Sequence, residues 1–80
     1  MSRTLQSARH QVLKEFLIEK RKKAGLTQTD VAKKLRRYQS FVANVETGQR
    51  KLDFVELLDF AEAIGFDPRE AVKRLQSTKP

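Results

Sequence analysis

The stretch that most limits what this chain can fold into is residues 26–48, Leu26 to Gly48. It reads as two short helices joined by a tight turn, the second closed by a glycine. Val31, Ala32 and Leu35 recur at helical spacing on one face, and Val42 and Val45 form a second apolar face, so both helices can close on a single core. A small residue at Ala32 suits a place where two helix backbones come close. Gln39, Ser40 and Asn44 are left pointing outward, and Gln and Asn are the side chains able to bond bidentately to adenine in a DNA major groove.

The flanking sequence supplies three more helices. From about Arg9 to Ala24, the residues Val12, Leu13, Phe16, Leu17 and Ile18 make an apolar stripe. It runs into Lys20-Arg21-Lys22-Lys23, where cations suit the negative end of the helix dipole, and stops at Gly25. Thr27 is a good N-cap for the next helix, with Asp30 at N3, Leu26 and Val31 as staple, and Gln28 at N1 left free. The segment Leu52 to Leu57 opens a fourth helix, with Asp53 as cap, Glu56 in the capping-box position and Leu52 stapled to Leu57. Its expected core stripe is Leu57, Leu58, Ala61 and Ile64, with Gly65 as stop, and Asp53, Glu56, Asp59 and Glu62 give it an acidic outer face. Asp67-Pro68-Arg69-Glu70 starts a fifth helix, which should run to about Gln76 with Ala71, Val72 and Leu75 as its apolar side. The expectation is an all-α domain over residues 9–76, preceded by a flexible arm over 1–8 and followed by a tail over 77–80.

One constellation within this pattern is more specific than any of its parts. The run Gly25-Leu26-Thr27-Gln28, then Val31-Ala32, Leu35, Val42, Val45-Glu46 and Gly48, followed by Leu57-Leu58, Ala61 and Ala63-Ile64-Gly65, resembles the helix-turn-helix of the Cro/cI (XRE-like) family of phage and bacterial repressors. The likeness covers about residues 12–66. It implies a five-helix, lambda-repressor-like DNA-binding domain. Two positions depart from the family pattern: Arg36 stands where glycine is usual in the turn, and Tyr38 where a capping Ser, Thr or Pro is usual. A non-glycine residue at Arg36 means either a strained left-handed residue or a slightly different turn.

The resemblance also implies roles. Tyr38 to Thr47 would be the recognition helix, inserting its N-terminal end into the major groove. Gln39 and Asn44 would then bond base edges, Ser40 would discriminate less, and Phe41 would rest on a thymine methyl, since Val42 and Val45 already fill the inward face. Gln28 would sit against a phosphate at a helix N-terminus, which physical chemistry favours independently. Arg50 and Lys51, in the loop after Gly48, are further phosphate contacts, and Tyr38 either bonds a phosphate or packs over the turn. By the same likeness Arg21 pairs with Glu46, making it a structural residue rather than a DNA contact.

Charge supports a one-sided surface. Residues 1–51 hold thirteen Lys/Arg against four Asp/Glu, and residues 52–80 hold four against six, giving +9 and −2. A basic part carrying the two-helix motif beside a mildly acidic part is what a phosphate-binding face looks like. At 80 residues the chain buries only about 60–65 per cent of its unfolded surface, so a helical core is thin and dimerisation would help. Phe66 and the fifth helix either close the core or form the dimer surface, and the resemblance favours the latter.

The absence of Cys removes thiolate metal sites, and His10 alone makes no metal centre, so neither metal nor cofactor is expected. His10 stands in no visible relation to a Ser or a carboxylate pair, and there is no glycine-rich phosphate loop, which argues against an enzyme. With no membrane span or export signal, a cytoplasmic location is expected. The leading expectation is a sequence-specific DNA-binding transcriptional regulator, a repressor acting on double-stranded DNA as a homodimer through the fifth helix. The alternative on the same fold is an antitoxin or a restriction-modification controller. The antitoxin version needs surface or tail that wraps a partner, of which this chain has little.

Overall fold

The computed structural model describes residues 7–80, and within them the chain is all α. The helices are α1 (Ala8–Lys23), α2 (Gln28–Leu35), α3 (Gln39–Thr47), α4 (Phe54–Ile64) and α5 (Pro68–Gln76). The arm expected over residues 1–8 lies outside the described residues except at its end. There Ser7 caps α1, its hydroxyl accepting from the His10 N–H at 3.1 Å, and Ala8 is already helical. Among the described residues no helix is long and apolar enough to cross a membrane.

Helix starts follow the capping chemistry in the sequence. In α2 the Thr27 hydroxyl accepts from the Asp30 N–H at 3.0 Å while the Asp30 carboxylate accepts from the Thr27 N–H at 2.9 Å, a reciprocal capping box. Asp53 and Glu56 repeat it at the start of α4 at 2.7 and 3.0 Å. Asp67 accepts from the Arg69 N–H at 2.9 Å, with Pro68 in the first turn of α5. Tyr38, which has no side-chain oxygen within reach of its own helix, caps α3 by backbone alone.

The turn between α2 and α3 keeps the family geometry at the expense of Arg36. This residue is left-handed, φ 58° and ψ 43°. Its N–H reaches the Lys33 carbonyl at 3.1 Å and the Arg37 N–H reaches the Ala32 carbonyl at 3.0 Å, the bond pair of a Schellman C-cap. An L-residue costs roughly 1–2 kcal/mol in that conformation, against a smaller unfolded-state entropy cost for glycine. Arg36→Gly is therefore expected to stabilise the domain by about 0.5–1 kcal/mol, read as a rise of a few degrees in melting temperature. A lower melting temperature would show that the Arg36 side chain contributes more than its backbone costs.

The core lies between α1, α2, α3 and α4 and is closed by α5. Phe16, Leu17, Val31, Ala32, Val42, Val45, Leu57, Phe60, Ala61 and Ala71 are buried, with Leu13, Leu26, Leu35, Phe41, Leu52, Ile64 and Phe66 packed around them. α2 packs on α3 and α4, and α1 packs on α3 and α5. On α4 the buried set is Leu57, Phe60 and Ala61 with Ile64 beside them, spaced i, i+3, i+4 and i+7. Leu58, expected in that stripe, lies about 100° around the helix and is 41% exposed, while Phe60 takes the inward position.

Phe66 and the fifth helix help to close the core. Phe66 meets Phe16 edge-on at 5.0 Å between ring centroids, and Ala71 is buried. Val72, expected on the apolar side, stays exposed. Arg74 pairs with Glu19 at 3.1 Å and Lys20 with Glu70 at 2.9 Å across the α1–α5 seam. The Arg74–Glu19 pair is more than a third exposed on both sides, so it sets orientation more than stability, whereas the Lys20 side chain is largely covered.

Candidate nucleic-acid interface

The capping box of α2 uses the N–H groups of Thr27 and Asp30, leaving those of Gln28 and Thr29 without an intrahelical acceptor at the positive end of the helix. The first turn of α3 emerges beside them. Tyr38 is 85% exposed, and Gln39, Ser40 and Asn44 are exposed along the outer face of α3. Among the described residues, the side chains of Ser40 and Asn44 have no hydrogen-bond partner. The Asn44 backbone carbonyl meanwhile accepts from the Thr47 hydroxyl at 3.1 Å and from the Arg50 N–H at 3.1 Å, which folds the following loop back against the helix. Gly48, at φ 89°, makes the left-handed turn that starts this loop.

Gln28 is not free, contrary to the expectation from its position at N1. Its amide nitrogen donates to Glu46 Oε1 at 2.9 Å, and its carbonyl accepts from the Gln39 amide at 2.7 Å. Glu46 is itself held by Arg21, whose Nε and Nη2 donate to the two carboxylate oxygens at 2.6 and 2.9 Å, and Arg21 Nη1 donates to the Leu26 carbonyl at 2.9 Å. Both side chains of the pair are enclosed, at 12% and 7% exposure, and the carboxylate bonded to Arg21 raises the guanidinium pKa above its ordinary value. The pair joins α1 to α3.

Phe41 corrects the expectation of an outward aromatic. Its ring is partly buried and lies 5.9 Å from the ring of Phe60, so it is turned into the seam between α3 and α4 rather than toward a groove. Val42 and Val45 do not exhaust the inward face, because the ring of Phe60 on α4 meets Phe41 beside them. The outer face of the ring carries two guanidinium groups, Arg37 at 3.8 Å and Arg50 at 5.1 Å from its centroid.

Arg50 also holds Glu56, at 2.6 Å, with Arg37 3.9 Å from the same carboxylate. The Asp53 N–H and then Arg50 keep the Glu56 carboxyl below the usual carboxylate range. Both arginines remain nearly half exposed at the edge of α3, and Lys51 is exposed beside them. Glu56 thus belongs to this basic edge, and Asp59, exposed, lines the same small cleft beside Arg37 and Phe41, while Glu62 is exposed toward the α2 side of α4. Arg37 was not singled out in the sequence. Its signal was available in its place next to the N-cap of α3.

The arrangement is a polar ridge at the N-terminus of one helix, bordered by cations and by a second helix N-terminus. Comparison with known proteins gives the family. A model described as a helix-turn-helix domain matches residues 1–75. An XRE-family like protein from Pseudomonas syringae pv. tomato str. DC3000 is 43% identical, covering 88% of this chain and 85% of that one, with a TM-score of 0.83. The chain belongs to the XRE-type helix-turn-helix family.

The restriction-modification controller protein C.AhdI from Aeromonas hydrophila is also similar, 34% identical over 81% of this chain and 98% of that one, at a TM-score of 0.74. The clp gene regulator ClgR from C. glutamicum shares the fold, with 17% identity, coverage of 95% and 94%, and a TM-score of 0.77. No match was found among curated proteins. As an XRE-type helix-turn-helix protein the chain is a DNA-binding transcriptional regulator, and its α2 and α3 form the two helices of the motif.

Proposed function

We propose that this regulator is a sequence-specific repressor that binds a two-fold symmetric operator as a homodimer, acting in the cytoplasm by occupying a promoter. The observation that carries this reading is the exposed ridge of Gln39, Ser40 and Asn44 on the first turns of α3. Helix-turn-helix proteins place that end of the second helix against base edges. Gln39 and Asn44 select bases and Ser40 contributes a less discriminating bond. The backbone N–H groups at the start of α2, with Gln28, Tyr38, Arg50 and Lys51, hold phosphates on either side, and Arg37 joins them. Phe41 serves as the apolar support on which Arg37 and Arg50 rest.

The dimer surface is better assigned to α4 than to α5. The fifth helix turns Ala71 into its own core, whereas Phe54 and Val55 are 67% and 65% exposed and share a face with Leu58. That face follows directly on the loop after α3. A two-fold axis there sets two recognition helices side by side, as half-sites about 34 Å apart require. A restriction-modification controller is the second reading, favoured by the 34% identity to C.AhdI. It would use the same groove-reading surface.

Alanine at Asn44 or Gln39 is expected to cost about 1–3 kcal/mol on a preferred duplex and little on random duplex. Alanine at Arg50 or Lys51 should weaken all duplexes alike and flatten the salt dependence. Titrations of each variant against preferred and scrambled duplexes check both. Equal losses on the two duplexes for Asn44→Ala and Gln39→Ala would remove these residues from sequence reading.

A further inference from the structure

Glu56 fills the guanidinium fork of Arg50 as a phosphate would. Its Oε1 accepts from Arg50 Nη1 at 3.2 Å, its Oε2 accepts from Arg50 Nη2 at 2.6 Å, and Arg37 Nη1 lies 3.9 Å from the same Oε2. Carboxylate and phosphate offer the fork the same two-pronged geometry. The arginine that the loop after α3 presents to a DNA backbone therefore already holds an anion of its own chain.

The acid is pinned, whereas the two cations are not. Glu56 Oε1 also accepts from the Asp53 N–H at 3.0 Å, and the Glu56 N–H donates to the Asp53 carboxylate at 2.7 Å, so the capping box fixes this side chain at the start of α4. It is 15% exposed, against 42% for Arg50 and 45% for Arg37. Both guanidinium groups rest on the ring of Phe41, and that attraction lacks the directionality of a hydrogen bond. A phosphate arriving from solvent can turn Arg50 outward on its flexible stem, and Glu56 cannot follow. Binding at this point is an exchange of anions, in which the bond made to DNA is offset by the bond given up.

We propose that Glu56 is a positioning residue that limits affinity for DNA, by holding Arg50 in an internal ion pair that a backbone phosphate must displace. The proposal rests on the reading of Arg50 as a phosphate contact. Glu56 itself touches no DNA in this scheme. It acts through Arg50, and to a smaller extent through Arg37, whose nitrogen stands farther from the carboxylate.

The test titrates the full chain against a duplex of random sequence between about 50 and 200 mM salt. Glu56→Gln is the direct variant, because glutamine serves the same capping box but offers Arg50 one acceptor oxygen in place of two. It should bind about three- to tenfold more tightly at the lower salt, with the slope of log K against log salt steeper by about 0.9. Glu62→Gln removes the same charge from a carboxylate exposed on the α2 side of the helix. Its effect should stay under about twofold. Arg50→Met should weaken binding, and adding Glu56→Gln to it should recover less than about twofold, since the guanidinium to be released is then absent. Thermal melts establish which variants are folded. Should Glu56→Gln fail to fold, Glu56→Asp gives the same readout: it keeps the charge and the cap, as Asp30 does in α2, and draws the carboxylate back from Arg50 by one methylene.

An unchanged affinity and salt slope in Glu56→Gln would overturn the proposal, because the pair would then not compete with phosphate. An equal gain from Glu62→Gln would overturn it too, by reducing the effect to net charge. Failure of the underlying reading looks different and takes the proposal with it: Arg50→Met would then bind, and respond to salt, as wild type does.

Discussion

Replacing Glu46 with alanine is expected to lower the melting temperature by about 12–24 °C. The variant leaves Arg21, 12% exposed, with a charge that has lost its bidentate partner and retains only the Leu26 carbonyl. Breaking an enclosed pair from one side costs about 3 kcal/mol or more, because the surviving charge stays out of water. For a domain of this size each kcal/mol moves the midpoint by roughly 4–8 °C. Removing both charges together, as Arg21→Met with Glu46→Leu, should restore most of that loss, since an apolar pair of similar volume carries no desolvation cost. Thermal unfolding followed by circular dichroism separates these outcomes. A Glu46→Ala midpoint within a few degrees of wild type would show that the pair locks nothing.

The second large effect is expected at Phe60. This side chain is 1% exposed, sits among α2, α3 and α4, and backs the ring of Phe41. Truncation to alanine removes the transfer energy of the ring and leaves a cavity, typically about 3–5 kcal/mol. With so thin a core, that is enough to bring the domain near its unfolding threshold at room temperature. Denaturant titration measures it. Phe60→Leu should cost much less, as volume is largely kept. A small loss for Phe60→Ala would mean that α4 does not depend on this contact, and that the seam carrying Phe41, Arg37 and Arg50 is held by other residues.

These two residues illustrate what was legible in the sequence. The Arg21–Glu46 pairing came from resemblance, because no periodicity reports a contact between side chains 25 positions apart. Helix starts were legible directly: Thr27 with Asp30, Asp53 with Glu56 and Asp67 with Pro68 are local chemistry, and local chemistry decides a cap. The inward face of α4 was harder. Leu57 and Leu58 are both apolar neighbours, and only the packing of α2 and α3 decides that Leu57 and Phe60 enter while Leu58 stays out. Phe41 followed the same logic. Its neighbours Val42 and Val45 read as a complete inward face, yet Phe41 joins them there by meeting Phe60 of α4.

At the site, the identity of the exposed polar residues on α3 was readable, but their mutual bonds were not. Gln28 and Gln39 lie on different helices, and their amides meet because the Schellman turn at Arg36 brings the two N-termini together. The turn's geometry was left open by the sequence, where arginine replaces the usual glycine. The backbone accepts a left-handed arginine and keeps the turn. The angle between the motif's helices is thus set by the core contacts of Ala32, Val31 and Val42 more than by the preference of the turn residue.

The central claim is that the N-terminal turns of α3 recognise base edges in the major groove. Selection of bound duplexes from a random pool at near-physiological salt addresses it most directly. The account predicts an enriched two-fold symmetric sequence with half-site centres about 10 base pairs apart, and loss of enrichment at one position per half-site with Asn44→Ala or Gln39→Ala. A pool that emerges unenriched, or an enriched sequence unchanged by both substitutions, would contradict it.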